Sequence, residues 1–337
     1  MPVANSRINC TYAHKYNVAT YRLENCFRKC VRLIHANQYM NSFKQKSFLS
    51  SLLLKMQDAE EYKNYKFCEK LNRVKNIIPD IPPKNIYSFK HSGNAGDLIY
   101  SLPAAKALAG GKQVHYYLNL GQKGNYGKKP HPLGSVMLNE KMVDMLKPLL
   151  LSQTYFFACD IYRDQDIDFD LDLIRSFPFP LNRGNIARWY FYLFAVNLDL
   201  SKPWLYAEAD TKWKDHIVIS RSQRYQAPAI SYAFLRNYKN KIFVGVETEW
   251  QEIKKEIPDI EYKQVENFLE LAKIIAGCKL FIGNQSFPFS LAEAMKTKRL
   301  LEVYHLCPNV NVEGPGANDF CYQPQFEKMV KRLYEEE

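Results

Sequence analysis

The stretch "HSGNAGD" (residues 91–97) sets a histidine, two glycines and an acid between an apolar run and a helix-like pattern. Asp97 stands where that helix should begin. Two roles fit it: a capping acid favoured by unpaired N–H groups and the helix dipole, or a general base that takes the proton of a hydroxyl. Gly93 and Gly96, on either side of Asn94, would let the backbone approach a ligand or adopt positive φ. His91, at the strand end, reads as a satisfied structural histidine. A second turn, "GNQSFPFS" (283–290), repeats the architecture. Gly283, Asn284, Gln285 and Ser286 precede a helix, with Pro288 in its first turn and Ser290 just behind. Free N–H groups there suit an anion such as a diphosphate; an ordinary polar cap is the plainer reading.

Other polar groups fall at the ends of apolar runs. Arg221 and Arg224 in "RSQR" can clamp phosphate oxygens with planar forks or be solvated surface charges. Glu247 and Glu249 follow the run 241–246, and Glu302 lies within 299–304. Carboxylates so placed can accept from ribose hydroxyls. "RDQDIDFDLDL" (163–173) alternates Asp164, Asp166, Asp168, Asp170 and Asp172. In a strand all five share one face, as a metal-holding pair or, more plainly, as a solvated edge. The chain has neither G-x-G-x-x-G nor G-x-x-x-x-G-K-[ST], so dehydrogenase and P-loop chemistry are unsupported.

These turns need elements to hold them. Strand-like runs at 85–90, 113–120, 154–162, 216–220, 241–246, 279–283 and 299–304 alternate with helical patterns at 97–108, 138–150, 185–198, 265–278 and the closing segment. Such alternation implies parallel sheets with right-handed crossovers. The expected class is α/β, two doubly wound Rossmann-like domains facing a cleft. Residues 86–205 form the first and 206–337 the second, with 201–215 as a linker. Ligands of such sheets lie beyond the carboxyl ends of the strands.

Residues 1–85 read as a helical extension, with Leu49, Leu52, Leu53, Met56, Tyr62, Tyr65, Phe67, Leu71 and Val74 recurring three and four apart until "PDIPPK" stops them. The extension holds 15 Lys/Arg against 6 Asp/Glu, most of the net charge of +11. It could meet nucleic acid or an anionic membrane surface, or be a solvated helical face. No apolar run approaches the roughly 20 residues of a membrane-spanning helix, and no secretory signal is evident. A cytoplasmic protein is expected, peripheral at a membrane if the extension binds one. Eight cysteines without a C-x-x-C pair read as buried free thiols.

"SGNAGDLIYSLPAAKAL" resembles the N-terminal motif of heptosyltransferase-like glycosyltransferases, a Gly-Asp turn leading into a helix with Leu-Pro. "LFIGNQSFPFSLAEAM" resembles their C-terminal donor motif. The resemblance covers about residues 86–306. It implies the GT-B fold and metal-independent, inverting transfer from a nucleotide-sugar donor, a substrate, with no cofactor. The acceptor would be a glycan or lipid-linked saccharide. It makes Asp97 the base and maps the donor motif onto Gly283, Asn284 and Ser286. The chain departs from the motif at Gln285 (Asp in the family), Phe287 (Gly) and Ser290 (His), and the basic extension lies outside the family plan. A non-catalytic sugar-nucleotide binder, or a transferase acting on modified nucleic acid through the extension, are the competing expectations.

Overall fold

A computed structural model describes residues 54–73, 80–124 and 134–336. The chain divides into two compact units, Met1–Arg73 and Val74–Glu337. In the first, helix α1 (Ala59–Arg73) starts at Asp58, whose carboxylate accepts the N–H groups of Glu60 and Glu61 at 2.9 Å. Tyr62, Tyr65 and Leu71 are half-buried, while Phe67 and Met56 are exposed. Leu49, Leu52, Leu53 and Val74 lie outside the described residues. So does most of the basic segment, and with it the nucleic-acid and membrane readings.

The second unit holds both sheets. In its N-terminal half β1 (Ile86–His91), β2 (Gln113–Leu118), β3 (Phe156–Ile161) and β4 (Phe169–Asp170) pair in parallel in the order β3-β2-β1-β4. Helix α2 (Ala95–Ala109) links β1 to β2. It ends at Gly110, left-handed at φ 56°, whose N–H returns to the last turn. Helix α3 (Glu140–Leu151), capped by Asn139, precedes β3, and α4 (Ile186–Phe194), capped by Asn185, follows β4. The C-terminal half carries β5 (Ile217–Ser220), β6 (Lys241–Phe243), β7 (Glu261–Tyr262), β8 (Leu280–Asn284), β9 (Arg299–Glu302) and β10 (Ala317–Phe320), all parallel, ordered β10-β9-β8-β5-β6-β7. Its helices are α5 (Glu247–Glu256), α6 (Phe268–Gly277), α7 (Phe287–Met295) and α8 (Gln323–Glu335). This is the expected α/β class with two doubly wound sheets. Each sheet winds outward in both directions from its first strand, so a switch point lies at the carboxyl ends of β1 and β4 and another at those of β5 and β8.

Three short strands escaped the sequence pattern: β4, β7 and β10. The alternating acids do not share a strand face. Only Phe169–Asp170 is strand; Leu171–Arg175 is 3-10 helix, and Asp164 has φ 60°. Asp168 pairs with Lys84, Asp170 with Lys90 and Asp172 with Arg175. Among the described cysteines Cys159 is buried, but Cys68 and Cys321 are exposed, against the expectation of buried thiols.

The segment expected as a linker is built into the core. Trp204 and Leu205 are buried, as is Trp213. The reason lies in α2. Pro103 sits inside that helix and has no N–H to give to the carbonyl four residues back. The Trp204 indole Nε1–H takes that Ile99 carbonyl at 3.1 Å. The Trp204 backbone N–H donates to Ala294 O, near the end of α7, at 3.0 Å, and the Lys296 ammonium lies 4.5 Å over the indole ring. One side chain thus joins α2 to α7. Trp204→Phe leaves the Ile99 carbonyl buried without a donor, a loss of about 1–3 kcal/mol. Urea unfolding should read it as a lower midpoint with unchanged slope.

Candidate functional site

The β1–α2 turn comes first. His91 is fully buried; its Nδ1 accepts the Gly93 N–H at 3.1 Å, and its Nε2 lies 3.1 Å from the Tyr190 hydroxyl. Accepting at Nδ1 leaves the proton on Nε2, a neutral ring. Burial pushes its pKa down to about 4, with Arg175 adding to the effect. Asn94 is the N-cap of α2 but makes no side-chain cap bond; its amide reaches Asp97 Oδ2 at 3.4 Å. Asp97 is the third helical residue, in the first turn, and half-buried. Burial raises its carboxyl above the usual range, opposed by Arg175, Asn94 and Arg224.

The two glycines do other work than expected. Neither has positive φ. A Cβ on Gly93 would lie 2.5 Å from Arg175 Nη2 and 2.7 Å from His91 Cε1, so the missing side chain makes room for a guanidinium. A Cβ built on Gly96 would lie 3.8 Å from Phe287 Cα and 3.9 Å from Ser290 Oγ, ordinary contacts that place this part of α2 alongside the start of α7.

The second turn is mostly structural in its side chains. A Cβ on Gly283 would meet the Ser220 carbonyl at 2.6 Å, so glycine there serves the β5–β8 approach. Asn284 is buried and bonds both ways to the Ser222 backbone, accepting its N–H at 2.8 Å and donating to its carbonyl at 2.7 Å. Gln285 is buried too. Its amide donates to Cys307 O at 2.6 Å and Asn309 Oδ1 at 2.5 Å, anchoring the loop after β9. Ser290 is buried and donates to Phe287 O, facing Gly96 and not open space. Ser286 stays half-exposed: it is the N-cap of α7 without a side-chain cap bond, its Oγ 3.5 Å from Ser220 Oγ. Pro288 has no N–H, so the Phe287 and Phe289 N–H groups are the ones that precede the helix's own ladder.

Arg221 differs most from expectation. It is not a phosphate clamp: its fork holds Glu302 through Nε–Oε2 at 2.8 Å and Nη2–Oε1 at 2.9 Å, and both residues are buried. Glu302 also accepts from the Ala227 N–H and the Tyr232 hydroxyl, so it is not open to a ribose. Arg224 is half-buried, and its charge reaches Asp97, Glu249 and Cys307. Glu247 is exposed at the start of α5. Glu249 is buried, accepts the Gln223 N–H at 3.2 Å, and is pushed up to about 7 by burial.

The charge of Arg224, from the C-terminal half, thus bears on Asp97, and Gly96 beside Asp97 lies against Phe287, the first residue of α7. Sequence reading missed Arg175. It lies at the end of the 3-10 segment after β4, donates to Asp172 Oδ1 at 2.7 Å and Ser92 Oγ at 3.0 Å, and covers Gly93. Only the register of β4 against β1 reveals it. Among the described residues no group of three or more His, Cys, Asp or Glu side chains is placed to hold a metal, and no helix is long and apolar enough to cross a membrane.

Two consequences can be measured. Arg221→Ala leaves Glu302 buried without its guanidinium partner, at a loss of about 3–5 kcal/mol in unfolding free energy. Glu249 titrates higher in the folded chain than its ordinary 4.5. Between about 4.5 and 7 the folded state holds a proton that the unfolded state releases, so this group's contribution to stability falls as pH rises through that window. Glu249→Gln should therefore gain stability over the parent from pH 5 to pH 8, read as a rising difference in melting temperature and amounting to on the order of 3 kcal/mol at most.

No family model and no curated protein sequence matches the chain. Among solved structures it is similar to a family 9 glycosyl transferase from Veillonella parvula DSM 2008, at 12% identity over 74% of this chain and 89% of that one, TM-score 0.44. It is also similar to the E. coli heptosyltransferase WaaC with ADP, at 10% identity over 74% and 99%, TM-score 0.46. A third is the iron-containing heptosyltransferase TibC in complex with ADP-D-beta-D-heptose, at 12% identity over 72% and 63%, TM-score 0.45. Likeness at these scores says nothing of residue roles or substrates.

Proposed function

We propose that this chain is a glycosyltransferase that moves a sugar from a nucleotide-sugar donor to an acceptor hydroxyl with inversion and without a required metal. The observation that carries this reading is the meeting of two turns. The charge of Arg224, from the loop after β5, bears on Asp97 of the β1–α2 turn, and Gly96 of the same turn lies against Phe287 at the start of α7. That arrangement supports reading the first turn as the base and the second as an anion site. In the reaction, Asp97 takes the acceptor proton as the acceptor oxygen bonds to the anomeric carbon. The bond from that carbon to the diphosphate oxygen breaks, and its electron pair leaves with the diphosphate. Arg224 and the Phe287 and Phe289 N–H groups stabilise the charge that develops there. The exposed Glu247 would accept from ribose hydroxyls.

The second reading, a non-catalytic sugar-nucleotide binder, draws on the same turn: Asn284, Gln285 and Ser290 are all engaged within the protein. A thermal-shift screen over ADP-, GDP-, UDP- and CMP-sugars identifies the donor, since a ligand of the native state raises the melting temperature. With that donor and an acceptor panel, Asp97→Asn should lose transfer by at least about 100-fold and keep the donor shift. Undiminished transfer by that variant would overturn the base assignment, and a donor shift without product in the parent would favour the binder.

A further inference from the structure

The β1–α2 turn is held from outside by the segment after β4. Asp172 Oδ1 accepts both the Ser92 N–H, at 2.8 Å, and Arg175 Nη1, at 2.7 Å, and the same Nη1 reaches Ser92 Oγ at 3.0 Å. The guanidinium lies directly over Gly93: a Cβ built there would be 2.5 Å from Nη2 and 3.1 Å from Asp97 Cβ. The 3-10 segment Leu171–Arg175 can reach this place because β4 pairs in parallel with β1, Phe89 opposite Phe169 and Lys90 opposite Asp170. Two strand residues and one helical turn thus deliver a fixed cation to the residue pair that precedes α2.

We propose that Arg175 is a positioning residue for Asp97, holding the β1–α2 turn against β4 with its guanidinium set over Gly93 beside the Asp97 side chain. The proposal rests on the reading of Asp97 as the base. It explains why residue 93 is glycine although its φ is not positive. It also gives the paired Asp172–Arg175 a purpose that a solvated acidic edge would not have. Desolvation at Asp97 favours the protonated, catalytically idle acid; the nearby guanidinium opposes it, as does Arg224 from the loop after β5. The other titratable groups whose charge bears on Asp97 are the phenols of Tyr190 on α4 and Tyr100 on α2 itself. Glu293 on α7 acts on Tyr100. Both phenols stay protonated throughout the range in which a carboxylate titrates, because burial holds them well above the usual phenol value. Arg175 and Arg224 are therefore the cations that oppose burial at Asp97, and Arg175 also bonds the turn at Ser92.

The test uses no sugar. Aspartate labelled with 13C at the carboxyl carbon allows the Asp97 midpoint to be followed by NMR in the full chain, its resonance identified by its loss in Asp97→Asn. Arg175→Gln should raise the midpoint by about one pH unit or more and speed hydrogen exchange at the Ser92 and Gly93 amides. Arg175→Lys, which keeps the charge, should return the midpoint most of the way to the parent's. If the glutamine variant fails to fold, Arg175→Met carries the same expectation. An unmoved midpoint in the neutral variants, or a lysine variant that titrates like them, overturns the proposal. Should Asp97→Asn still transfer sugar, the base assignment fails while the titration result stands.

Discussion

A proline inside a helix decides how the two sheets of this protein meet. Pro103 has no N–H, so the Ile99 carbonyl of α2 has no partner within its own helix. A buried carbonyl left unpaired costs as much as a lost hydrogen bond. The Trp204 indole fills the gap, and the same residue's backbone holds the carbonyl of Ala294 on α7. α2 and α7 are thereby held at one separation, close enough that Gly96 touches Phe287 and Ser290. Each helix begins at a sheet's switch point. Fixing the helices against each other therefore fixes the two turns, and with them Asp97 relative to Arg224 and the α7 N-terminus.

Around that joint, charge is divided into two kinds. Arg221 with Glu302, and Arg299 with Glu293 and Lys296, are buried, mutually paired and closed to ligands. Arg299 also donates to the carbonyls of Thr297, Glu313 and Pro315, so that cluster ties the loop before β10 to the end of α7. The charges at the turns are different. Arg224 and Asp97 are half-buried, Glu247 is exposed, and Arg175 is bonded through Nη1 alone. Deep ion pairs stiffen the scaffold, while partly exposed ones keep capacity for a ligand. Removing one member of a buried pair strands its partner, so the buried set resists change most strongly.

Much of the plan could be read from the chain by itself. Alternating apolar runs and helical patterns set the α/β class and the parallel strands. The turns "HSGNAGD" and "GNQSFPFS" pointed to the strand ends that became the two switch points. Asp97 was legible because an acid in the first turn of a helix after a glycine-bearing turn is a recognisable pattern. Short strands were not, since two residues such as Phe169–Asp170 carry no periodicity to detect.

Side-chain partners needed the tertiary structure, and the reason is distance along the chain. Arg221 and Glu302 lie 81 residues apart, and Arg175 and Ser92 lie 83 apart. Nothing local told a phosphate clamp from a buried pair, or a surface arginine from the cation over Gly93. Gly93 and Gly96 were read as freedom of the backbone, yet at Gly93, as at Gly283, another group crowds the place a Cβ would take, while a Cβ on Gly96 would meet only ordinary contacts. The sequence by itself determined which elements form and where their turns lie, because apolar periodicity and capping act over a few residues. Only the tertiary structure decided which charges are locked and which face the junction, because burial and pairing depend on strands brought together from distant parts of the chain.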